Sequence, residues 1–297
     1  MKSEPGSDRA DVFERQRPRL FGIAYRMLGS VHDAEDVVQG AYLQWHQAGA
    51  TRVRNPEAWL ASVVTRRAID RLRSASGDRK RYVGDWLPEP MFTGTPPDAE
   101  RRAELASDIS MAFLVLLERL SPDERAAFLL REVFGADYGE VAVVLDRTEE
   151  ACRQIVHRAK QRIRDDRARF PVAPAAKERL LGKFLAGLRA GDEKALLDVV
   201  AEDATWTSDG GGKIPAARNV RGAARIARFQ VHLARKLLAR GLRIELVWLN
   251  GEPAIATWAG DRLFSTLSVD TDGERLIAFY AVLNPEKLRH AAGSRAP

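Results

Sequence analysis

The stretch from Ser121 to Arg164 constrains the fold of this chain most, because three helix-start signals follow one another within it. Ser121 is followed by a proline at the first helical position and by a glutamate three residues on, which together form a capping box. Asp137 also has a glutamate three residues on, and Thr148 precedes two glutamates that would face the positive end of a helix dipole. The pattern predicts consecutive short helices, of which the first ends at Gly135.

The third predicted helix has an apolar face and a basic face. Its apolar positions recur with the helical period and are Cys152, Ile155, Ala159 and Ile163. Its opposite face carries Arg153, Gln154, His157, Arg158, Gln161 and Arg164. Two short helices joined by a tight turn, the second of them basic, are typical of a helix-turn-helix motif.

A basic helix of this kind fits the major groove of DNA. Arginine and glutamine pair with guanine and adenine edges, whereas cations further along such a helix meet phosphates. The alternative is a helical hairpin with a solvated basic face, which is common in proteins. Gln154 and His157 lie among the arginines, and this mixture favours base reading over a purely solvated surface.

The charge of the chain supports a nucleic-acid partner. At 297 residues the chain is long enough for two or three domains, and its net charge is +6. Positive charge is concentrated in residues 54–81 and 151–169, each with a net charge of +5. Two separated basic segments indicate two DNA contacts.

Other features of the sequence exclude some classes of protein. Cys152 is the only cysteine, so a disulfide framework and a cysteine zinc site are excluded, and we expect no metal and no cofactor. The N-terminus lacks the apolar core of a signal peptide, and fully apolar runs such as residues 112–117 are too short to span a bilayer. We therefore expect a cytoplasmic protein without a membrane partner.

Two charged helices are predicted upstream. The segment VHDAEDVVQ, residues 31–39, has acids on its outer face, and from the spacing alone an ordinary solvated surface is the simpler interpretation. A helix that begins at Pro56 is expected to end within residues 74–77, and its outer side carries Arg66, Arg67, Arg71 and Arg73. The basic trio Arg79 to Arg81 precedes Tyr82, which suits single-stranded DNA because bases stack on aromatic rings.

The order of these motifs resembles a bacterial RNA polymerase sigma factor of the extracytoplasmic-function class. An acidic DAEDVVQ helix precedes an NPEAWL helix that runs into AIDRLR, and a SPDER helix leads into the helix-turn-helix. The resemblance covers residues 10–169 and implies core RNA polymerase and promoter DNA as partners. It divides this part of the chain into a first sigma domain (8–82), a linker (83–99) and a second sigma domain (100–169).

The resemblance also implies roles for individual residues. The polymerase-binding surface would consist of Asp33, Glu35, Asp36, Val38 and Gln39. The promoter −10 element would be read by Arg66, Arg67, Arg71, Arg73, Arg79, Lys80 and Arg81. The −35 element would be read by Arg153, Gln154, His157 and Arg158, with Arg164 on a phosphate.

The C-terminal tail, residues 175–290, is predicted as helices followed by an antiparallel meander. Helices are predicted at 177–190, 192–201 and 221–240, and strands at 204–208, 242–248, 254–259, 262–269 and 276–283, with hairpin signals such as Asn250-Gly251 between them. This α+β pattern is similar to the cone-shaped SnoaL-like domains of the nuclear transport factor two-like superfamily. The expected fold class is thus two all-α sigma domains, the second with a helix-turn-helix, and an α+β tail.

A sigma factor with such a tail resembles the SigJ-like subgroup, in which the tail is thought to regulate. The motifs are WLPEP, DGGGK and NPEKL. The residues implied in interdomain regulation are Trp86, Leu87, Pro88, Glu89, Pro90, Asp209, Gly210, Gly211, Gly212, Lys213, Asn284, Pro285, Glu286, Lys287 and Leu288. We expect DGGGK to be an exposed loop against which the linker packs, with Glu89 paired to Lys213.

Regulation and catalysis are both to be weighed for the tail. DGGGK lacks the spacing of a P-loop and its strand-to-helix setting, so nucleotide binding is rejected. Asp203, Asp209 and His232 could transfer protons, but they form no recognisable set, and we expect a regulator rather than an enzyme. A small-molecule ligand of the tail stays open. The alternative for the whole chain is a stand-alone helix-turn-helix transcription regulator with a ligand-sensing tail.

Overall fold

The computed structural model describes residues 5–48, 53, 55–93, 109–164, 172, 174–217 and 220–293. The chain divides into two compact units, and each takes two separate parts of the sequence. The first unit comprises Met1–Lys80 and Leu116–Asp166, and the second comprises Arg81–Val115 and Arg167–Pro297. The described part of the predicted linker therefore belongs to the same unit as the C-terminal tail.

The described part of the first unit is built from helices. They are α1 (Pro5–Leu28), α2 (Val31–Gln47), α3 (Pro56–Arg81), the end of α4 (Met111–Leu117), α5 (Pro122–Phe128) with a π-helical continuation (Leu129–Val133), α6 (Tyr138–Leu145) and α7 (Glu149–Arg164). The predicted end of the third helix within residues 74–77 is wrong, because α3 continues through Gly77 to Arg81. A glycine inside a helix costs only about 1 kcal/mol relative to alanine, and the residues that follow it sustain the helix.

The capping boxes predicted for α5 and α6 are both present. Ser121 Oγ accepts from the Glu124 N–H at 3.4 Å, and the Glu124 carboxylate accepts from the Ser121 N–H at 3.0 Å. Asp137 and Glu140 form the same reciprocal pair. These contacts satisfy N–H groups that a helix start leaves without intrahelical partners.

A left-handed residue makes the turn between α6 and α7. Asp146 has a φ of 53°, and two residues later Thr148 Oγ1 accepts from the Ala151 N–H at 3.2 Å. The predicted apolar face of α7 is buried against α5 and α6. On α6, Val141 and Val144 are buried, whereas Leu145 is only partly buried. The helix-turn-helix prediction is therefore confirmed, although the helix before it ends as a π-helical turn ahead of Gly135.

The described strands of the second unit form one sheet. They are β1 (Val200–Asp209), β2 (Val220–Arg221), β3 (Arg243–Leu249), β4 (Glu252–Ala259), β5 (Arg262–Thr271) and β6 (Leu276–Val282), in the order β2-β1-β6-β5-β4-β3. Strands β1 and β6 are parallel, and the other neighbours are antiparallel. The helices of this unit are the start of α4, α8 (Pro174–Ala190), α9 (Glu193–Leu197), α10 (Ala223–Ala239) and α11 (Pro285–Gly293).

The strands β3 to β6 begin and end within two residues of their predicted bounds. The prediction for the region around the start of β1 is less accurate. The helix predicted to reach residue 201 ends at Leu197, and β1 begins at Val200 rather than at 204. The first residue of β1 pairs with Leu276, far along the chain, and such long-range hydrogen bonds override local helix propensity. Strand β2 and helix α11 were not predicted.

Both faces of the sheet are buried. One face packs against α8, α9 and α10, and Ile255 of β4 lies in this core. The other face packs against Leu87 of the linker, Met111 of α4 and Leu288 of α11, and Ala256 of β4 lies in this second core. Because successive strand residues point to opposite faces, β4 is apolar nearly throughout rather than alternating.

Candidate functional site

The outer face of α7 is exposed and polar, as predicted. Gln154, His157 and Arg158 are exposed, and together with Tyr138 of α6 they line a shallow depression of about 740 Å³. Arg153 is also exposed, and its guanidinium donates to Glu149 at 2.7 Å and lies 5.0 Å from the centre of the Tyr138 ring. The side chain of Arg164 lies outside the described residues.

The arginines of α3 make contacts within the first unit that the sequence did not indicate. Arg66 donates to the backbone carbonyls of Val143 and Val144 at the end of α6. Arg71 forms an ion pair with Asp33 of α2 at 2.6 Å. Arg73 pairs with Asp123 of α5 at 2.7 Å, Arg67 packs closely over Gly40 of α2, and Arg81 is exposed. The side chains of Arg79 and Lys80 lie outside the described residues.

The acidic residues of α2 are only in part exposed. Glu35, Asp36 and Gln39 are exposed, whereas Asp33 is half-buried beside Arg71. Val38 is 1% exposed, so the prediction that it contributes to a binding surface does not fit this structure. The reason is the helical period, because Val38 follows Val37 on the inner stripe of α2 that packs in the unit's core.

A buried carboxylate in the second unit contacts residues of all three motifs, WLPEP, DGGGK and NPEKL. Asp209 is 0% exposed and accepts hydrogen bonds from the Tyr82 hydroxyl at 2.6 Å, the Leu87 N–H at 2.9 Å and the Gly211 N–H at 3.0 Å. Lys287 forms an ion pair with the same carboxylate at 2.7 Å. We call Tyr82, Leu87, Asp209, Asn284 and Lys287 the Asp209 cluster.

The other members of the Asp209 cluster hold one another as well. Lys287 also donates to the Leu87 carbonyl, and its ammonium lies 4.0 Å from the centre of the Trp86 ring. The Asn284 side-chain amide donates to the Tyr82 hydroxyl at 2.9 Å. Burial and the neighbouring Asp209 carboxylate raise the pKa of Tyr82, so its hydroxyl keeps its proton and serves as the donor.

Two predictions about the DGGGK loop are wrong. Asp209 and Gly210 are buried, and only Gly212 and Lys213 are exposed. Lys213 pairs with Glu286 rather than with Glu89, which is itself buried. The loop turns inward because the Asp209 carboxylate has hydrogen-bond partners in the linker. The glycines of the motif suggested an exposed loop, and nothing near them in the sequence indicates those partners.

The glycines of this loop are required by close packing. Gly211 has a φ of 62°, and a Cβ there would lie 2.4 Å from the Asn284 amide nitrogen. A Cβ on Gly210 would lie 2.0 Å from the Ile214 carbonyl oxygen. Any side chain at these positions would therefore displace neighbouring atoms, and the loop can follow this path only with glycine.

The linker makes further contacts that the sequence did not predict. The Met91 N–H donates to the Asn250 side-chain oxygen at 3.1 Å, and the Asn250 N–H donates to the Met91 carbonyl at 2.8 Å. Phe92 pairs with Leu249 in an antiparallel bridge. Asn250 belongs to the Asn-Gly hairpin turn seen in the sequence, but nothing local marks it as a docking site. Pro88 and Pro90 are buried, whereas Pro285 at the start of α11 is exposed.

The residues considered for proton transfer do not come together. Asp203 and His232 are exposed, and the carboxylate of Asp209 is held by the linker. Within the described ranges no group of histidine, cysteine and acidic side chains could hold a metal ion. The described helices include none long and apolar enough to cross a membrane.

Comparison with known families defines the class of protein. Residues 12–77 match Sigma-70 region 2, and residues 110–163 match Sigma-70, region 4. The first match spans α2 and most of α1 and α3, and the second spans α4 to α7, including the helix-turn-helix. The helical unit is therefore of the sigma-70 class.

Relatives that match almost the whole chain show the family. The chain is 36% identical over 288 residues to the ECF RNA polymerase sigma factor SigJ of Mycobacterium tuberculosis H37Rv, covering 93% of this chain and 91% of that protein. It is 27% identical to the probable ECF RNA polymerase sigma factor SigI of M. tuberculosis CDC 1551, covering 93% of both. The crystal structure of M. tuberculosis SigJ matches with a TM-score of 0.76 and 34% identity, over 94% of this chain and 98% of that one. The chain belongs to the extracytoplasmic-function sigma factors.

Proposed function

We propose that this sigma factor recruits core RNA polymerase through α2, reads promoter DNA through α3 and α7, and is regulated by its own C-terminal domain. The observation that carries DNA reading is the set of exposed side chains on α7, whose apolar side is fully used in packing. Gln154, His157 and Arg158 are exposed and line the same depression. The protein would act in the cytoplasm as a binding subunit and not as an enzyme.

Base reading by α7 is tested by single substitutions. Gln154→Ala is expected to weaken binding to the preferred promoter by about 1–3 kcal/mol and to relax the preference at one upstream position, because a bidentate contact to a base is lost. Arg164→Ala is the matched comparison, and it should weaken all sequences alike and lower the salt slope by roughly 0.9. Run-off transcription and binding by the polymerase holoenzyme on a promoter library measure both. If the two variants weaken every promoter equally, α7 does not read bases in the proposed register.

Polymerase binding by α2 is tested by charge reversal. Replacing Asp33, Glu35 and Asp36 with lysine should weaken binding to core polymerase at least about tenfold, since each exposed ion pair contributes up to about 1 kcal/mol. Reversal of the exposed acids Glu178, Glu202 and Asp261 of the second unit changes the net charge equally and serves as the control. Affinities of both triple variants for core enzyme, measured at one salt concentration, decide the matter, and equal affinities would contradict the proposed surface.

Regulation is proposed from the Asp209 cluster. Helices α3 and α7 bind promoter DNA more tightly together than separately only when the linker lets both contact their promoter elements at once. The linker is not a free tether, because Leu87 is 1% exposed and both of its backbone polar groups are bound by the tail. We therefore propose that the tail holds residues 82–93 in one path and thereby sets the geometry in which the sigma domains work.

A further inference from the structure

A cavity of about 170 Å³ lies inside the second unit, between the sheet and α10. Most of its wall is apolar, with side chains such as Leu188, Phe229, Ile244 and Ile255. No ionisable side chain is among the described residues that line it. A charged molecule would have no counter-charge there, so the cavity suits a neutral occupant.

Two residues that line this cavity each carry a buried donor group that has no acceptor among the described residues. The Trp206 indole nitrogen and the Gln230 side-chain nitrogen are buried and make no hydrogen bond to the described residues. Trp206 is 5% exposed and Gln230 is 4% exposed. The neighbouring hydroxyl of Ser208 is satisfied, because it donates to the Ala217 carbonyl at 2.5 Å. Folded proteins leave few buried donors without a partner, so the pair indicates an acceptor supplied from outside the chain.

The size of the cavity restricts the occupant further. A cavity of about 150 Å³ with apolar walls is known to take a benzene ring, so a cavity of about 170 Å³ holds a single ring with a small substituent. Both unpartnered groups are donors, so the occupant has to supply a hydrogen-bond acceptor, such as a carbonyl or ether oxygen.

We propose that this cavity is a binding site for a small neutral ring compound that bears a carbonyl or ether oxygen. The oxygen accepts from the Trp206 indole N–H and the Gln230 amide N–H, and the ring packs against the apolar wall. This site is separate from the Asp209 cluster and from the faces of α2 and α7.

The strands that form the cavity also hold the linker. Ser208 lines the cavity, and the next residue is Asp209; Leu283 lines it, and the next residue is Asn284. An occupant would therefore contact the same two chain segments that position the Asp209 cluster. The site is thus placed to act as a sensor. The sensor role rests on the proposed regulation by the tail, whereas ligand binding by the cavity does not.

The proposal is tested by titrating the ¹⁵N-labelled full-length protein with acetophenone and, separately, with ethylbenzene. The two probes have similar size and shape, but only acetophenone carries an acceptor. Acetophenone should shift the Trp206 indole N–H resonance, which Trp206→Phe identifies, and should bind about thirtyfold more tightly than ethylbenzene because its oxygen accepts two hydrogen bonds. Gln230→Leu should reduce this preference to about fivefold, since only the Trp206 donor remains, whereas His232→Ala on the exposed face of α10 should leave it intact.

Three results would overturn the proposal. The Trp206 indole resonance could stay unmoved by both probes up to their solubility limits, which would mean that water satisfies the donors. Both probes could bind the unaltered protein equally, which would exclude an acceptor-dependent site. Finally, a folded Gln230→Leu or Gln230→Met protein could keep the full preference for acetophenone, which would remove Gln230 from the site.

Discussion

Replacing Asp209 with alanine is expected to lower the free energy of unfolding of the second unit by about 3–5 kcal/mol. The carboxylate is fully buried and accepts from Tyr82, Leu87 and Gly211 in addition to its ion pair with Lys287. Without it, the Lys287 ammonium, whose side chain is 8% exposed, loses the carboxylate of this ion pair. Most of the loss therefore comes from breaking a buried ion pair on one side only.

Urea unfolding of the full-length chain measures this loss, and exchange of the Leu87 amide hydrogen reports on the linker directly. The double variant Asp209→Leu with Lys287→Met should recover much of the stability, because it removes both charges together. Lys213→Ala breaks the exposed pair with Glu286 and should change little. A loss below about 1 kcal/mol for Asp209→Ala would show that the cluster does not hold the linker.

Another substitution at Asp209 tests the regulatory proposal. Asp209→Asn keeps the size of the side chain but removes its charge, so it should weaken the hold on residues 82–93. Run-off transcription from the preferred promoter should then fall, since the readers lose their fixed connection. The Asp209→Asn protein could show faster exchange of the Leu87 amide and yet transcribe as well as the unaltered protein. That result would show that linker docking does not control activity.

Replacing Glu118 with alanine is expected to destabilise the first unit by about 3–5 kcal/mol. Its carboxylate is bound at 2.7 Å by Arg125 of α5, which is 3% exposed and also donates to the Met27 carbonyl of α1 at 2.6 Å. Burial lowers the pKa of Arg125, because desolvation disfavours the charged guanidinium. Among the contacts of the described residues, removing Glu118 leaves this charge with the Met27 carbonyl, so the cost is that of an uncompensated buried cation.

Three comparisons interpret this result. Glu118→Gln retains an acceptor without the charge and should cost less than the alanine variant. Glu118→Leu with Arg125→Met removes the pair altogether and should recover stability. Glu149→Ala breaks an exposed ion pair with Arg153 and should cost under about 1 kcal/mol. Chemical denaturation followed by circular dichroism gives all four values, and a similar small effect for Glu118→Ala and Glu149→Ala would contradict the assigned importance of burial.

The sequence by itself determined those parts of the fold whose signals lie within a few residues. The starts of α5, α6 and α7 follow from Ser121, Asp137 and Thr148, because a capping side chain bonds to an N–H only three positions away. The buried stripe and exposed polar face of α7 follow from the helical period, and the strands β3 to β6 follow from alternation between hairpin turns. The order of motifs also identified the family.

Tertiary structure alone decided which charges are buried and what they contact. Nothing near Asp209 indicates that its carboxylate faces Tyr82 and Leu87, more than a hundred residues earlier, or that Lys213 prefers Glu286 to Glu89. The parallel pairing of β1 with β6 likewise depends on partners distant in the chain. The physical reason is that capping and periodicity act over one helical turn, whereas desolvation and ion pairing depend on whatever the fold brings within a few ångströms.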